Sequence, residues 1–74
     1  MLTLEEVMFK AVDIAMNRYD RNFILVGEPE GYKFMFVCPS LNQHTIIEQI
    51  DNLPCYYTII SAILAAIAHE DEIN

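Results

Sequence analysis

What this chain has little of narrows its chemistry first. Its 74 residues include two glycines, four basic side chains and no tryptophan. Two glycines leave no room for a Gly-rich loop that cradles phosphate on backbone N–H groups. Four bases, Lys10, Arg18, Arg21 and Lys33, are too few to track a phosphate backbone or an anionic lipid surface. Direct nucleic-acid or membrane binding is therefore not expected. The two cysteines, Cys38 and Cys55, stand in apolar runs without metal or redox spacing. A small secreted domain would carry more, so both read as buried free thiols of a cytosolic protein.

Long apolar runs are also scarce. The uncharged run 53–68, LPCYYTIISAILAAIA, is shorter than the ~20 residues that cross a bilayer. The N-terminus has neither the basic nor the apolar region of a signal peptide. The expectation is a soluble cytoplasmic protein, in the host cytoplasm if phage-encoded.

Acids are abundant. Eleven Asp and Glu give a net charge of −7 and a pI near 4.4. Such a balance keeps an apolar protein soluble and suits a basic protein partner. Hydrophobic residues make up 54% of the chain. A folded chain of this mass keeps about 4,700 Å² of surface and has a thin core. Apolar residues in excess of that core imply an interface with another molecule, a second copy included.

The order of elements follows from periodicity. Thr3 and Glu6 form a capping box, with Leu2 and Val7 placed as its hydrophobic staple. Apolar residues recur at Leu4, Val7, Met8, Ala11, Val12, Ala15 and Tyr19, widened by Ile14 and Met16, which predicts a helix over 4–19. Phe23–Gly27 and Tyr32–Cys38 read as strands around a Pro-Glu-Gly turn, an antiparallel hairpin. One face carries Phe23, Leu25, Phe34 and Phe36, and the other Ile24, Val26, Met35 and Val37, so both faces need cover. Ser40 with Gln43 resembles a second capping box before a helix over 41–51, although Thr45-Ile46-Ile47 also suits a strand. Pro54 separates this from a last helix over about 55–69, capped by Asp51 or Asn52. The whole is one small α+β domain, residues 1–74, in the order α-β-β-α-α, with a two-stranded antiparallel hairpin packed against helices.

The last helix organises the remainder. Its large side chains, Tyr56, Ile59, Ile60, Ile63, Leu64 and Ile67, fall on one side. The opposite side holds Thr58, Ser61, Ala62, Ala65 and Ala68, small groups where a surface helix would show Lys or Glu. That helix is expected to pack on two sides.

No constellation of side chains carries chemistry. His44 and Glu48 are i,i+4, yet two ligands do not make a metal site. His69 with Glu70, Asp71 and Glu72 reads as a soluble helix end whose acids could face a partner's bases. Cys55 beside Pro54 has no general base assigned to it. Glu5, Glu6, Asp13, Asp20, Glu28 and Glu30 could imitate a phosphate track, but a plain interaction surface is favoured.

The resulting expectation is a non-enzymatic protein without cofactor or metal that binds and inhibits or regulates a protein partner. Size and acidity suit a phage or mobile-element product, an anti-CRISPR-like or host-takeover inhibitor. An antitoxin or immunity protein is one alternative, and an oligomer sequestering a small ligand is another. The expected contact residues are Glu28, Glu30, Thr58, Ser61, Ala62, Ala65, Glu70, Asp71 and Glu72, and a homodimer is expected.

Overall fold

The computed structural model describes residues 2–73. Its elements are α1 (Leu4–Arg18), β1 (Phe23–Glu28), β2 (Gly31–Phe36), α2 (Gln43–Asn52) and α3 (Ile59–Ile73). The fold is α+β in the expected order. Both halves of the α1 capping box are made: Thr3 Oγ1 accepts from the Glu6 N–H, and the Glu6 carboxylate accepts from the Thr3 N–H, each at 3.2 Å. After α1, Asp20 and Arg21 adopt left-handed backbone, φ 51° and 69°. This brings the Arg21 N–H onto the Ala15 carbonyl at 2.8 Å. That carbonyl also accepts from the Tyr19 N–H at 2.9 Å, so two donors close the helix end, and the same reversal launches β1.

The strands pair antiparallel, with Phe23 opposite Phe36, Leu25 opposite Phe34 and Glu28 opposite Gly31. Gly31 has φ 150° and lies so close to the Tyr56 carbonyl that a Cβ would collide with it. Only glycine fits both demands. Cross-strand partners share a face, so Phe34 and Phe36 point with Phe23 and Leu25 toward the helices. There they join Val7, Ala11 and Ala15 of α1 and Ala62, Ile63 and Ile67 of α3 in one core. Phe36 stacks on Tyr19 with ring centroids 5.3 Å apart and meets Phe34 edge-on at the same distance. On the opposite face Lys33 is buried. Its ammonium donates to the Ile50 carbonyl at 3.0 Å and pairs with Glu28 at 3.2 Å. A cation at the C-terminal end of α2 also suits that helix's dipole.

Several local expectations need correction. The expected second helix is present, but over Gln43–Asn52 rather than 41–51, and Asn42 caps it, accepting from the Thr45 N–H at 2.8 Å. The Ser40–Gln43 box is not used, and Ser40 instead meets the Cys38 thiol at 3.0 Å. α3 begins at Ile59 rather than Cys55. Thr58, not Asp51 or Asn52, caps it by accepting from the Ser61 N–H at 3.0 Å. The displacement has a clear cause: Tyr56 exchanges two backbone hydrogen bonds with Tyr32, each 2.8 Å, which holds this stretch extended. Burial on α3 runs along Ala62, Ile63, Ile67 and Glu70, between the large-residue and small-residue sides. Two-sided packing therefore holds only in part, since Ser61 and Ala68 are exposed and Ala65 is half-buried.

The fold exposes 5220 Å², above the ~4,700 Å² usual for its mass. Part of that excess belongs to α2, which has no buried residue. Among the described residues, no helix is long and apolar enough to cross a membrane.

The burial pattern of α3 predicts a sharp contrast between neighbouring substitutions. Ile63 is fully buried, so Ile63→Ala should cost about 2–5 kcal/mol in urea denaturation. Ala68→Glu, on the exposed side, should stay within about 0.5 kcal/mol of the parent. Equal losses would mean that α3 is rotated from the orientation described.

Candidate functional site

Three places on the surface carry features that the fold itself does not require. The first is the outer side of α1. Its inner line, Val7, Ala11 and Ala15, is fully buried. At 100° per residue, Phe9, Val12 and Met16, spaced three and four apart, fall on the opposite side as one stripe. Phe9 is 78% exposed, Met16 53% and Val12 37%. Glu5, Glu6 and Asp13, also exposed, flank the stripe. Val12 and Met16, expected in the core, are thus surface residues. Phe9 went unremarked in the apolar periodicity because it lies among Glu6, Lys10 and Asp13. An aromatic side chain on an otherwise polar helix face was the signal available.

The second is the segment before α3, where Tyr57 is 92% exposed. It borders a shallow hollow shared with Leu4, Tyr32 and Ile60. The pairing of Tyr56 with Tyr32 fixes this segment, and alternation along extended chain turns Tyr57 outward.

The third is an open groove of about 630 Å³ between β2, α2 and α3. Phe34 and Phe36 form its floor, Ala62, Ala65 and Ala66 one wall, and Asn52, Leu53 and Pro54 the other. Tyr19 and Glu70 close one end. Glu70 is buried and its carboxylate accepts from the Arg18 guanidinium at 3.0 Å and from the Tyr19 hydroxyl. Burial, then the bond to Glu70 and the charge of that carboxylate, push the Tyr19 phenol up to about 12. Neither cysteine is fully buried as expected: Cys55 is half-buried, and Cys38, past the end of β2, lies exposed on the groove rim, where its hydrogen bonds with Ser40 hold the thiol below the usual value.

The residues expected at a contact surface are distributed as follows. Glu30, Thr58, Ser61, Asp71 and Glu72 are exposed. Glu28 is half-buried and committed to Lys33. Ala62 is in the core and Ala65 lines the groove. Glu70 is a structural residue, not part of an exposed acidic tail, because α3 continues through it and turns it inward against Arg18. The structure does not bring these nine into one surface.

Metal-ligating groups come together at one place among the described residues: Glu28, Glu30 and Cys55 hold ligand atoms within 4.8 Å of one another. Lys33 already neutralises Glu28 there, and a thiol with two carboxylates joins soft and hard donors that prefer different ions. His44 and Glu48 pair at 3.6 Å, both well exposed. Compared with known protein families, curated proteins and solved structures, the chain matches none.

Two outcomes follow from the Glu70 cluster. Glu70→Lys should lower stability by several kcal/mol, since it buries a cation beside Arg18, while Asp71→Lys and Glu72→Lys should each change it by less than about 0.5 kcal/mol. The tyrosine adds a pH dependence. Its phenol ionises near 10 when unfolded and at about 12 in the fold, so its contribution is complete below pH 10 and lost as pH rises toward 12. Chemical denaturation across that range should show a steeper decline for the parent than for Tyr19→Phe. Parallel declines would contradict the placement of Tyr19 against Glu70.

Proposed function

We propose that this protein acts by binding another protein and thereby blocking or regulating it, with the outer side of α1 as the principal contact. The observation that supports this is the exposed line Phe9, Val12 and Met16 on a helix whose other side is fully packed. Intramolecular packing gives no reason for an aromatic and a methionine there. Phe and Met are enriched in the central part of protein interfaces, and a polar rim completes such patches. Here the rim is acidic, from Glu5, Glu6 and Asp13, and the chain carries a net charge of −7. The partner surface that fits is an apolar cleft bordered by Lys or Arg. Opposite charge at the rim speeds encounter more than it deepens affinity. An anti-defence or host-takeover inhibitor and an antitoxin both work by such binding.

A second reading, sequestration of a small ligand, draws support from the groove of about 630 Å³, a size within the usual range of ligand sites. Its lining favours a neutral, largely apolar ligand. Arg18 and Lys33, two of the chain's four cations, are engaged with Glu70 and Glu28, so an anionic ligand finds little there.

Capture from lysate with the parent and with a Phe9→Ala/Met16→Ala variant separates these readings. The parent should retain a specific protein that the variant releases at least tenfold faster, with melting temperatures within a few degrees of each other. Retention unchanged by the double substitution would move the contact off α1. A melting temperature raised by small apolar compounds and not by any protein would favour sequestration.

A further inference from the structure

The outer edge of β1 is unpaired, and its sequence sets which strand fits it. Tyr32 turns its N–H and C=O away from β1, toward Tyr56, so by the alternation of an antiparallel ladder Phe34 and Phe36 do the same. The Val37 N–H, of opposite parity, bonds Asn22 across the hairpin at 3.0 Å. The β1 partners of Tyr32, Phe34 and Phe36 are Gly27, Leu25 and Phe23. These three direct their backbone groups outward, where no described residue meets them. The edge FILVG has no Lys, no Pro and no irregular pairing in its register, the devices by which natural edges avoid a second strand.

We infer that β1 pairs antiparallel with β1 of a second copy of this chain, about a two-fold axis at Leu25, giving a continuous four-stranded sheet. Three features select this occupant and register. Only the register centred on Leu25 uses all three outward residues, setting Leu25 against its own counterpart and Phe23 against Gly27. A shift one way sets Phe23 against Pro29, which has no N–H, and a shift the other way sets Gly27 against Arg21, whose backbone is left-handed. In the centred register each Phe23 ring lies beside a glycine, a cross-strand pair in which the aromatic covers the bare backbone. Leu25, which points toward the helix layer yet is 43% exposed, gains cover from its counterpart. Charge agrees as well: Arg21 of each copy meets the Glu28-Pro29-Glu30 turn of the other. A strand pair of this length buries less than a standard interface, so the dimer is a weak one that exchanges with monomer. It leaves the proposed α1 contact a separate matter.

Sedimentation velocity from low micromolar to millimolar protein, with amide exchange by NMR over the same range, tests this. The parent should pass from monomer to dimer, and the amides of Phe23, Leu25 and Gly27 should become protected as it does. Leu25→Lys should weaken association at least tenfold with an unchanged far-UV spectrum. Arg21→Glu should weaken association several-fold by facing the acidic turn, and adding Glu30→Lys to it should restore association, a rescue that misfolding cannot imitate. A parent that stays monomeric throughout would overturn the inference. So would a dimer whose Phe23, Leu25 and Gly27 amides exchange as fast as the monomer's, or one whose loss in Arg21→Glu is not restored by Glu30→Lys.

Discussion

The close approach of α1 to α3 over β2 is the contact on which everything else rests. It depends on side-chain size. Ala11 and Ala15 on one helix and Ala62 on the other are buried almost completely, which lets the helices sit near enough for Val7, Ile63 and Ile67 to reach the Phe34 and Phe36 rings. A chain of 74 residues has little interior to spend, and small residues at the crossing place the few large ones where they exclude most water. Arg18, Tyr19 and Glu70 fix the far ends of the same two helices to each other. A buried carboxylate so partnered contributes more to specifying the helix pairing than to net stability.

This economy leaves other apolar residues outside. With the core closed by one line of α1, the opposite line of Phe9, Val12 and Met16 meets solvent, and α2, tied to the hairpin by the Lys33 bond to the Ile50 carbonyl, buries no residue of its own. The protein is thus apolar in two separate senses, in a compact core and on surfaces that suit other molecules. Its negative charge is the natural counterweight, because like-charged molecules resist indiscriminate aggregation through such surfaces. In the function we propose, a partner supplies both an apolar cleft and positive charge, and specificity then arises from an otherwise adhesive patch.

Much of the fold was legible in the sequence. The capping box at Thr3 and Glu6 and the turn at Pro29-Glu30-Gly31 act locally, so residues next to one another in the chain suffice to place α1 and the hairpin. The start of α3 was not legible, because it is set by Tyr56 pairing with Tyr32, a contact between distant parts of the chain. Without it, the apolar run from Cys55 reads as unbroken helix. Thr58 three residues before Ser61 was the local cue to the true cap. Which apolar side chains stay exposed was the least legible part. Periodicity marks which side chains are apolar but not which of two apolar stripes is buried, so Val12 and Met16 were grouped with the core and Glu70 with the solvent. The partner of Glu70, Arg18, lies 52 residues away, beyond any local pattern.

The claim most exposed to error is that the two sides of α1 do different work. The unfolding free energy of Phe9→Ala at low micromolar concentration, measured beside that of Val7→Ala, tests it directly. A buried Phe reduced to Ala costs about 3–5 kcal/mol, whereas a surface one costs about 0.5 kcal/mol or less. Val7→Ala should lower stability clearly while Phe9→Ala leaves it within that small margin. A loss of several kcal/mol at Phe9 would contradict the division and return that side chain to the core.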